Sequence, residues 1–181
     1  HRPDYKGLLN ALDQKSFPET QRRVLVETLY SSYGKLLNTE GSNAVVDNLE
    51  KLKEPDTFTI TTGHQLCAYG GPAYFIYKIA SVIKVCLHMK ALAPEKHFVP
   101  VFWLASEDHD FEEISNLHLW GKTWNWNNGN ESSVYPVGRM VPGALATWGE
   151  ELNTYFRGEA VTSSVVSLFS RAYEENKTLS D

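Results

Sequence analysis

Residues 98–105, FVPVFWLA, carry no polar side chain. A continuous apolar run of that length suits a strand buried on both faces, with Pro100 tolerated near its start. Upstream, TFTIT (57–61) reads as a short β-branched strand. Between the two, Ile76, Ile79, Ala80, Ile83, Cys86 and Leu87 form an apolar stripe, with Lys78, Ser81, Lys84 and His88 mostly outside it. The spacing predicts a helix over 73–91, about five turns long, opened by Pro72 and stopped near Pro94. Strand, long helix, strand is a βαβ unit, whose connection is right-handed and whose strands are parallel neighbours. The fold class is therefore α/β, and two doubly buried parallel strands call for sheet neighbours that the rest of the sequence does not obviously supply.

Two amphipathic helices precede this unit. SFPETQRRVLVETLYSSYGKLL places Pro18 early in a helical pattern, with Val24, Leu25, Leu29 and Leu36 or Leu37 recurring near helical spacing. SNAVVDNLEKL repeats the theme with Val45, Leu49 and Leu52, and Pro55 ends it. After residue 117 the pattern changes to LHLWGKTWNWNNGNESSVYPVGRM, in which Asn128-Gly129 has the residues of a hairpin turn. Trp120, Trp124 and Trp126 then suit a half-buried hairpin face. From about Thr147 the chain is mostly helical, with Val165, Leu168, Phe169 and Ala172 on one side. The organisation expected is 1–54 as helical cover, 55–117 as core, and 118–181 as a hairpin followed by helices.

Composition narrows the partners. With a net charge of −5 over 181 residues, the chain has no basic field for a nucleic-acid backbone or an anionic membrane surface. No window approaches the roughly 18 apolar residues of a membrane span, so small molecules or proteins are the expected partners. Two cysteines, Cys67 and Cys86, make no disulfide framework and suit a reducing compartment, the cytoplasm. The sequons at Asn130 and Asn176 are accordingly read as chance. The chain opens at His1 and ends in ENKTLSD, where Ser180 or Asp181 would cap a helix that does not follow. A fragment of something longer is the expectation.

In an open α/β sheet, ligands bind beyond the carboxyl ends of the strands. Two unusual segments fall there. TTGHQLCAYGGP is expected as a loop over 62–72, whose Gly63, Gly70 and Gly71 allow close backbone approach and deliver the chain, at Pro72, to a helix N-terminus suited to an anion. His64 and Gln65 are long polar groups at the same mouth. A plain tight turn explains the glycines equally well, and no G-x-G-x-x-G or Walker signature is present. Cys67 without an identifiable base reads as a space-filler rather than a nucleophile. Tyr74 and Tyr77 either pack or turn their hydroxyls to the cleft.

The second segment is ASEDHDFEEI. Asp110-x-x-Glu113 fits a capping box, which leaves Glu107, Asp108 and His109 unexplained directly after a buried strand. A general base with its orienting partner, or a divalent-metal site, would use such groups. Asp108, His109 and Asp110 are the catalytic candidates. The candidate binding set is Gly63, His64, Gln65, Gly70, Gly71, Pro72, Tyr74, Lys78, Trp103, Ser106 and Glu107. No metal ligand is assigned.

TGHQLCAYGGPAYFIYKIASVIK, VPVFWLASEDHDFEEI and VGRM together resemble the N-terminal part of the bacillithiol biosynthesis cysteine-adding enzymes, a cysteine ligase family. The resemblance is clear over roughly residues 55–140. It implies a Rossmann-like core interrupted by connective insertions, of which 55–117 would be the first half and 118–181 part of an insertion. It also implies a longer protein with a helical coiled coil that makes a homodimer. The implied reaction joins the carboxyl group of L-cysteine to the amino group of glucosaminyl malate, and the 181-residue chain alone is expected to be inactive. The core is similar to that of class I aminoacyl-tRNA synthetases, so an adenine nucleotide, ATP or ADP, is a candidate cofactor. The chain departs from their His-x-Gly-His signature, carrying GPAYFIYK instead. Two other readings remain open: a metal-dependent phosphoesterase or nucleotidyltransferase built on Asp108, His109 and Asp110, and a non-catalytic nucleotide- or sugar-binding module.

Overall fold

A computed structural model describes residues 4–39, 42–127, 135–157, 159–175 and 178–180. The elements are α1 (Tyr5–Leu12), α2 (Glu19–Tyr33), α3 (Asn43–Lys51), β1 (Thr57–Gln65), α4 (Ala73–Leu92), β2 (His97–Ala105), α5 (Glu112–Ser115), β3 (Asn116–Leu119), β4 (Lys122–Asn125), α6 (Gly143–Tyr155) and α7 (Ala160–Glu175). β1 and β2 are hydrogen-bonded neighbours in a parallel sheet with α4 between them in sequence, the βαβ unit that the apolar runs require. β1 continues four residues beyond TFTIT, so Gly63, His64 and Gln65 belong to the strand rather than to a loop. Two compact units form, one from residues up to Thr62 with Ile79–Val101, the other from Gly63–Lys78 with the chain after Val101.

In the first unit, Asp4 caps α1 by accepting a hydrogen bond from the Gly7 amide at 2.7 Å. Tyr5 stacks on His88 of α4 with ring centroids 4.7 Å apart. Val26 of α2, Leu49 and Leu52 at the end of α3, and Val99 of β2 make the buried centre, with Leu29, Tyr30, Leu37, Val45 and Val101 packed around it. The α3 stripe is the one its sequence spacing indicates. The α2 stripe is not: Val24 and Leu25 are exposed, and the inward face runs Arg22, Val26, Leu29 and Tyr30. Arg22 is inside because its guanidinium satisfies carbonyls that the turn after α3 leaves without helical partners. It donates to Leu52 O at 3.2 Å, Pro55 O at 3.2 Å and Thr57 O at 3.1 Å, and Nε donates to Phe17 O at 3.3 Å.

α4 carries a broad apolar arc, only part of which is covered. Val82, Cys86 and Met89 are buried, whereas Ile76, Ile83 and Leu87 of the expected stripe face outward, Leu87 at 69% exposure. The inward stripe is offset from the expected one, because the apolar arc of α4 is wider than the strip that packs; Ser81, Lys84 and His88 lie outside it as expected. β2 also departs from full burial: Val99 is covered while Trp103, at 60% exposure, and Leu104 are open.

The second unit is built on the hairpin of β3 and β4, paired antiparallel with Leu117 opposite Trp124. Its turn is Trp120-Gly121, with φ of 43° and 81°. Two successive positive φ values suit the two-residue turns that match strand twist. Asn128-Gly129, the turn expected from sequence, lies outside the described residues. Trp120 consequently sits in the turn at 77% exposure, while Trp124 and Trp126 join a buried cluster with Leu66, Ala68, Ile114, Leu117, Val137, Met140, Leu145, Trp148, Leu152 and Val166. α6 and α7 pack together, Gly149 lying so close to Ser170 that no Cβ would fit. On α7 the inward residues are Val166, Phe169 and Tyr173; Val165, Leu168 and Ala172 are exposed, which corrects the expected face.

Arg22→Ala would leave four carbonyl contacts without their donor, at least two of them buried. With each unsatisfied buried group costing about 1–3 kcal/mol, the variant is expected to lose about 3 kcal/mol of stability in urea unfolding. Arg22→Lys, with a point charge in place of the planar fork, should recover less than half of it.

Candidate functional site

The chain leaves β1 at Gln65 and reaches α4 through a sharply bent connection, and Tyr69 holds that connection down. Tyr69 has φ of 50°, Gly70 83° and Gly71 60°. A tyrosine in the left-handed region costs about 1–2 kcal/mol, and its bonds offset that cost. The Tyr69 hydroxyl donates to Leu145 O at 2.8 Å and meets Ser170 Oγ at 3.2 Å, while its amide donates to Tyr173 Oη at 2.9 Å. Trp148, Phe169 and Tyr173 surround its ring. Burial pushes the Tyr173 phenol up to about 12, which keeps it a neutral hydrogen-bonding group.

Gly71 follows with both a backbone and a steric reason to be glycine. At its positive φ, an added Cβ would stand 2.5 Å from the Cys67 Cβ. Cys67 is thereby seated against bare backbone. The Gly71 amide donates to Ala68 O at 3.0 Å, so it closes the turn and is not presented to an anion as the sequence suggests. Gly63 is required for another reason: an added Cβ would lie 2.7 Å from Trp103 O on β2. It permits close approach of backbone. Lys78 donates to Gly63 O at 3.1 Å and lies 5.4 Å from the Tyr74 ring centre.

His64, at the end of β1, is largely buried. Its Nε2 is 2.6 Å from the Tyr74 hydroxyl, and its Nδ1 is 3.0 Å from Gln65 O and 3.4 Å from Cys67 Sγ. The carboxylate of Glu113 on α5 completes the group, the ligand-type atoms of His64, Cys67 and Glu113 all lying within 4.8 Å of one another. In the sequence Glu113 fits a capping box and Cys67 has no evident partner. Their meeting is tertiary: the turn Ala68–Gly70 packs beside α5.

The Cys67 thiol is pushed up to about 11, first by burial and then by the nearby Glu113 charge, against a smaller lowering by Lys78. Although an imidazole is adjacent, this is the opposite of an activated nucleophile. The Tyr74 phenol is raised as well, by desolvation first and by the same acidic neighbour.

The segment after β2 is fastened by the VGRM stretch, a single 3-10 turn over Val137–Arg139. Val137 N donates to Asp108 O at 2.8 Å and Gly138 N to Ser106 O at 2.9 Å. Gly138 fits because a Cβ there would strike Ser106. Ser180 donates from both its amide and its hydroxyl to Gly138 O. Within the fastened loop, Asp108 Oδ1 accepts from Asp110 N at 3.1 Å and Asp110 Oδ1 accepts from Glu112 N at 3.2 Å. Both carboxylates thus brace turns through one oxygen, the second having no hydrogen bond among the described residues; Asp110 does not form the capping box with Glu113. His109 and Glu107 are exposed, and Glu107 accepts from Trp103 Nε1 at 3.3 Å. Pro72, beside Gly71, is exposed at the mouth of α4.

Because its thiolate form is suppressed, Cys67 in chelator-treated protein should react with iodoacetamide at pH 8 about 100-fold more slowly than free cysteine. The rate should climb tenfold per pH unit towards pH 11, and Glu113→Gln should raise it at every pH by removing the negative neighbour. Peptide mass spectrometry distinguishes Cys67 from Cys86, whose thiol is also raised to about 11 by burial.

The family profile described as "Bacillithiol biosynthesis BshC, N-terminal Rossmann-like domain" matches residues 1–181. The chain is 39% identical over 173 residues to the "Putative cysteine ligase BshC" of Christiangramia forsetii, covering 93% of the chain and 31% of that relative. It is 37% identical over 183 residues to the same-named protein of Flavobacterium johnsoniae, covering 100% and 34%, and 33% identical over 189 residues to that of Prosthecochloris aestuarii, covering 99% and 32%. The chain spans about a third of the length of these curated relatives. It belongs to the BshC family of bacillithiol biosynthesis, within that family's N-terminal Rossmann-like domain.

Proposed function

We propose that the whole protein containing this domain is a cysteine ligase that forms an amide between the carboxyl group of L-cysteine and the amino group of glucosaminyl malate. The observation that carries the reading is the family match along the entire chain, joined to relatives named cysteine ligases. The bare α4 and β2 residues Ile76, Ile83, Leu87, Trp103 and Leu104 support it too, since a Rossmann-like sheet covers both faces and continues beyond two strands. On this reading the 181-residue chain alone does not turn over, and the homodimer belongs to the whole protein. Among the described residues no helix is long and apolar enough to cross a membrane, and the cytoplasm, where the free thiols of Cys67 and Cys86 persist, is the compartment proposed.

Amide formation from a free carboxylate needs that carboxylate activated, a neutral amine in line, and a base for its proton. Asp108 is the proposed base and His109 its partner at the substrate. The fastening of Ser106 and Asp108 by Val137 and Gly138 supports this, because it holds the carboxylate in place with one oxygen unspent. An adenine nucleotide is the chemical class that would activate the carboxylate. The first turns of α4 do not fit the imidazole signature of adenylate-forming synthetases: Tyr74 stands there, its hydroxyl bonded to His64. No activation step is therefore assigned to these residues. A phosphoesterase built on Asp108, His109 and Asp110 is less well supported, because the metal-capable group among the described residues is a different one.

Asp108→Asn tests the assignment cleanly, since asparagine keeps the oxygen that accepts from Asp110 N and removes only the basicity. In the full-length protein, kcat/KM for bacillithiol formation, followed by mass spectrometry, should fall 10²- to 10⁴-fold, about the scale of lost general-base help. The melting temperature should hold. Unchanged turnover in Asp108→Asn and in His109→Ala would remove both from the catalytic role.

A further inference from the structure

We propose that His64, Cys67 and Glu113 form a zinc site with an open fourth position. The three groups come from the end of β1, the connection that follows it, and α5, and their ligand atoms already lie within 4.8 Å of one another. Ligands on a tetrahedral zinc, at about 2.0–2.3 Å from the ion, sit about 3.5 Å apart. The 3.4 Å between His64 Nδ1 and Cys67 Sγ is close to that separation. Glu113 is exposed, so its carboxylate swings in by side-chain rotation.

A second feature points to the same ion. A metal-bound imidazole needs its other nitrogen held by an outer partner, and His64 Nε2 has one in the Tyr74 hydroxyl at 2.6 Å. Binding selects the tautomer in which Nε2–H donates to Tyr74 and Nδ1 faces the metal, giving up the Nδ1 contact to Gln65 O. Gly71 contributes by leaving room for the Cys67 side chain, whose Cβ and Sγ a Cβ at that position would strike. One nitrogen, one sulfur and one oxygen ligand leave a fourth position for water or for a bound thiol. The thiol of Cys67 loses its proton to solvent on binding, so each ion taken up at neutral pH releases one proton.

Cobalt(II) is the probe, added to full-length protein stripped with chelator. The expected result is a tetrahedral cobalt spectrum with a thiolate-to-cobalt charge-transfer band, displaced by one equivalent of zinc, with one proton released per ion. Cys67→Ser should abolish the band, and Cys86→Ser should leave it intact. Tyr74→Phe, which touches no metal, should weaken zinc about 10- to 100-fold. Glu113→Gln, at an exposed position where folding is not in question, should weaken it about tenfold or more. The proposal is overturned if cobalt binds without a thiolate band, if the band survives Cys67→Ser, or if Glu113→Gln and Tyr74→Phe both bind zinc as the parent does.

Discussion

Tyr69 is a bulky residue held at a positive φ, and the candidate site depends on that one position. Left-handed backbone at a tyrosine persists only where surroundings over-determine it. Here three hydrogen bonds and three aromatic neighbours from α6 and α7 do so. The anchor sets the path of Gly70 and Gly71, which sets where Cys67 lies relative to His64. The helices after residue 142 are thus more than an appendage to the unit they belong to. They hold the connection between β1 and α4 in a shape that its own sequence would not keep.

The loop after β2 is positioned by a different device with a similar logic. Two amides of the Val137–Arg139 turn take the carbonyls of Ser106 and Asp108, and Gly138 allows the approach. Backbone bonds fix the loop, so its side chains are free for other work. The acidic residues after β2 then divide by location. Asp108 and Asp110 brace turns with one oxygen each, whereas Glu113, one helical turn on, reaches the histidine and cysteine.

Much of the scaffold is legible in the sequence because it rests on local periodicity. The apolar run 98–105, the long helix and the Val45, Leu49, Leu52 stripe all appear where spacing puts them. What sequence misplaces has a common cause, the dependence of burial on distant partners. Arg22 is interior because carbonyls near residue 55 need its fork, a demand no pattern within α2 reveals. Ile83 and Leu87 look like core and are bare, because the apolar arc of α4 is wider than the strip around Val82, Cys86 and Met89 that packs. The Trp120-Gly121 turn is overlooked because Asn-Gly is the stronger written signal, and tryptophan at positive φ is unusual. The site shows the same division. The two segments that carry it stand out for their odd composition, but the pairing of Cys67 with Glu113 across 46 positions does not.

Cys67, His64 and Glu113 share one small volume, and the charge state of each depends on what stands between them. A half-buried thiol beside a carboxylate is held protonated, up to about 11, which makes it a poor nucleophile and, alone, an inert filler. Lys78, which donates to Gly63 O, offsets this only in part. A divalent cation reverses every one of these terms: it favours the thiolate, neutralises the carboxylate and uses the imidazole in its neutral form. A positive ion at their centre would meet one neutral nitrogen, one thiolate and one carboxylate, the donor set that His64, Cys67 and Glu113 bring within 4.8 Å of one another.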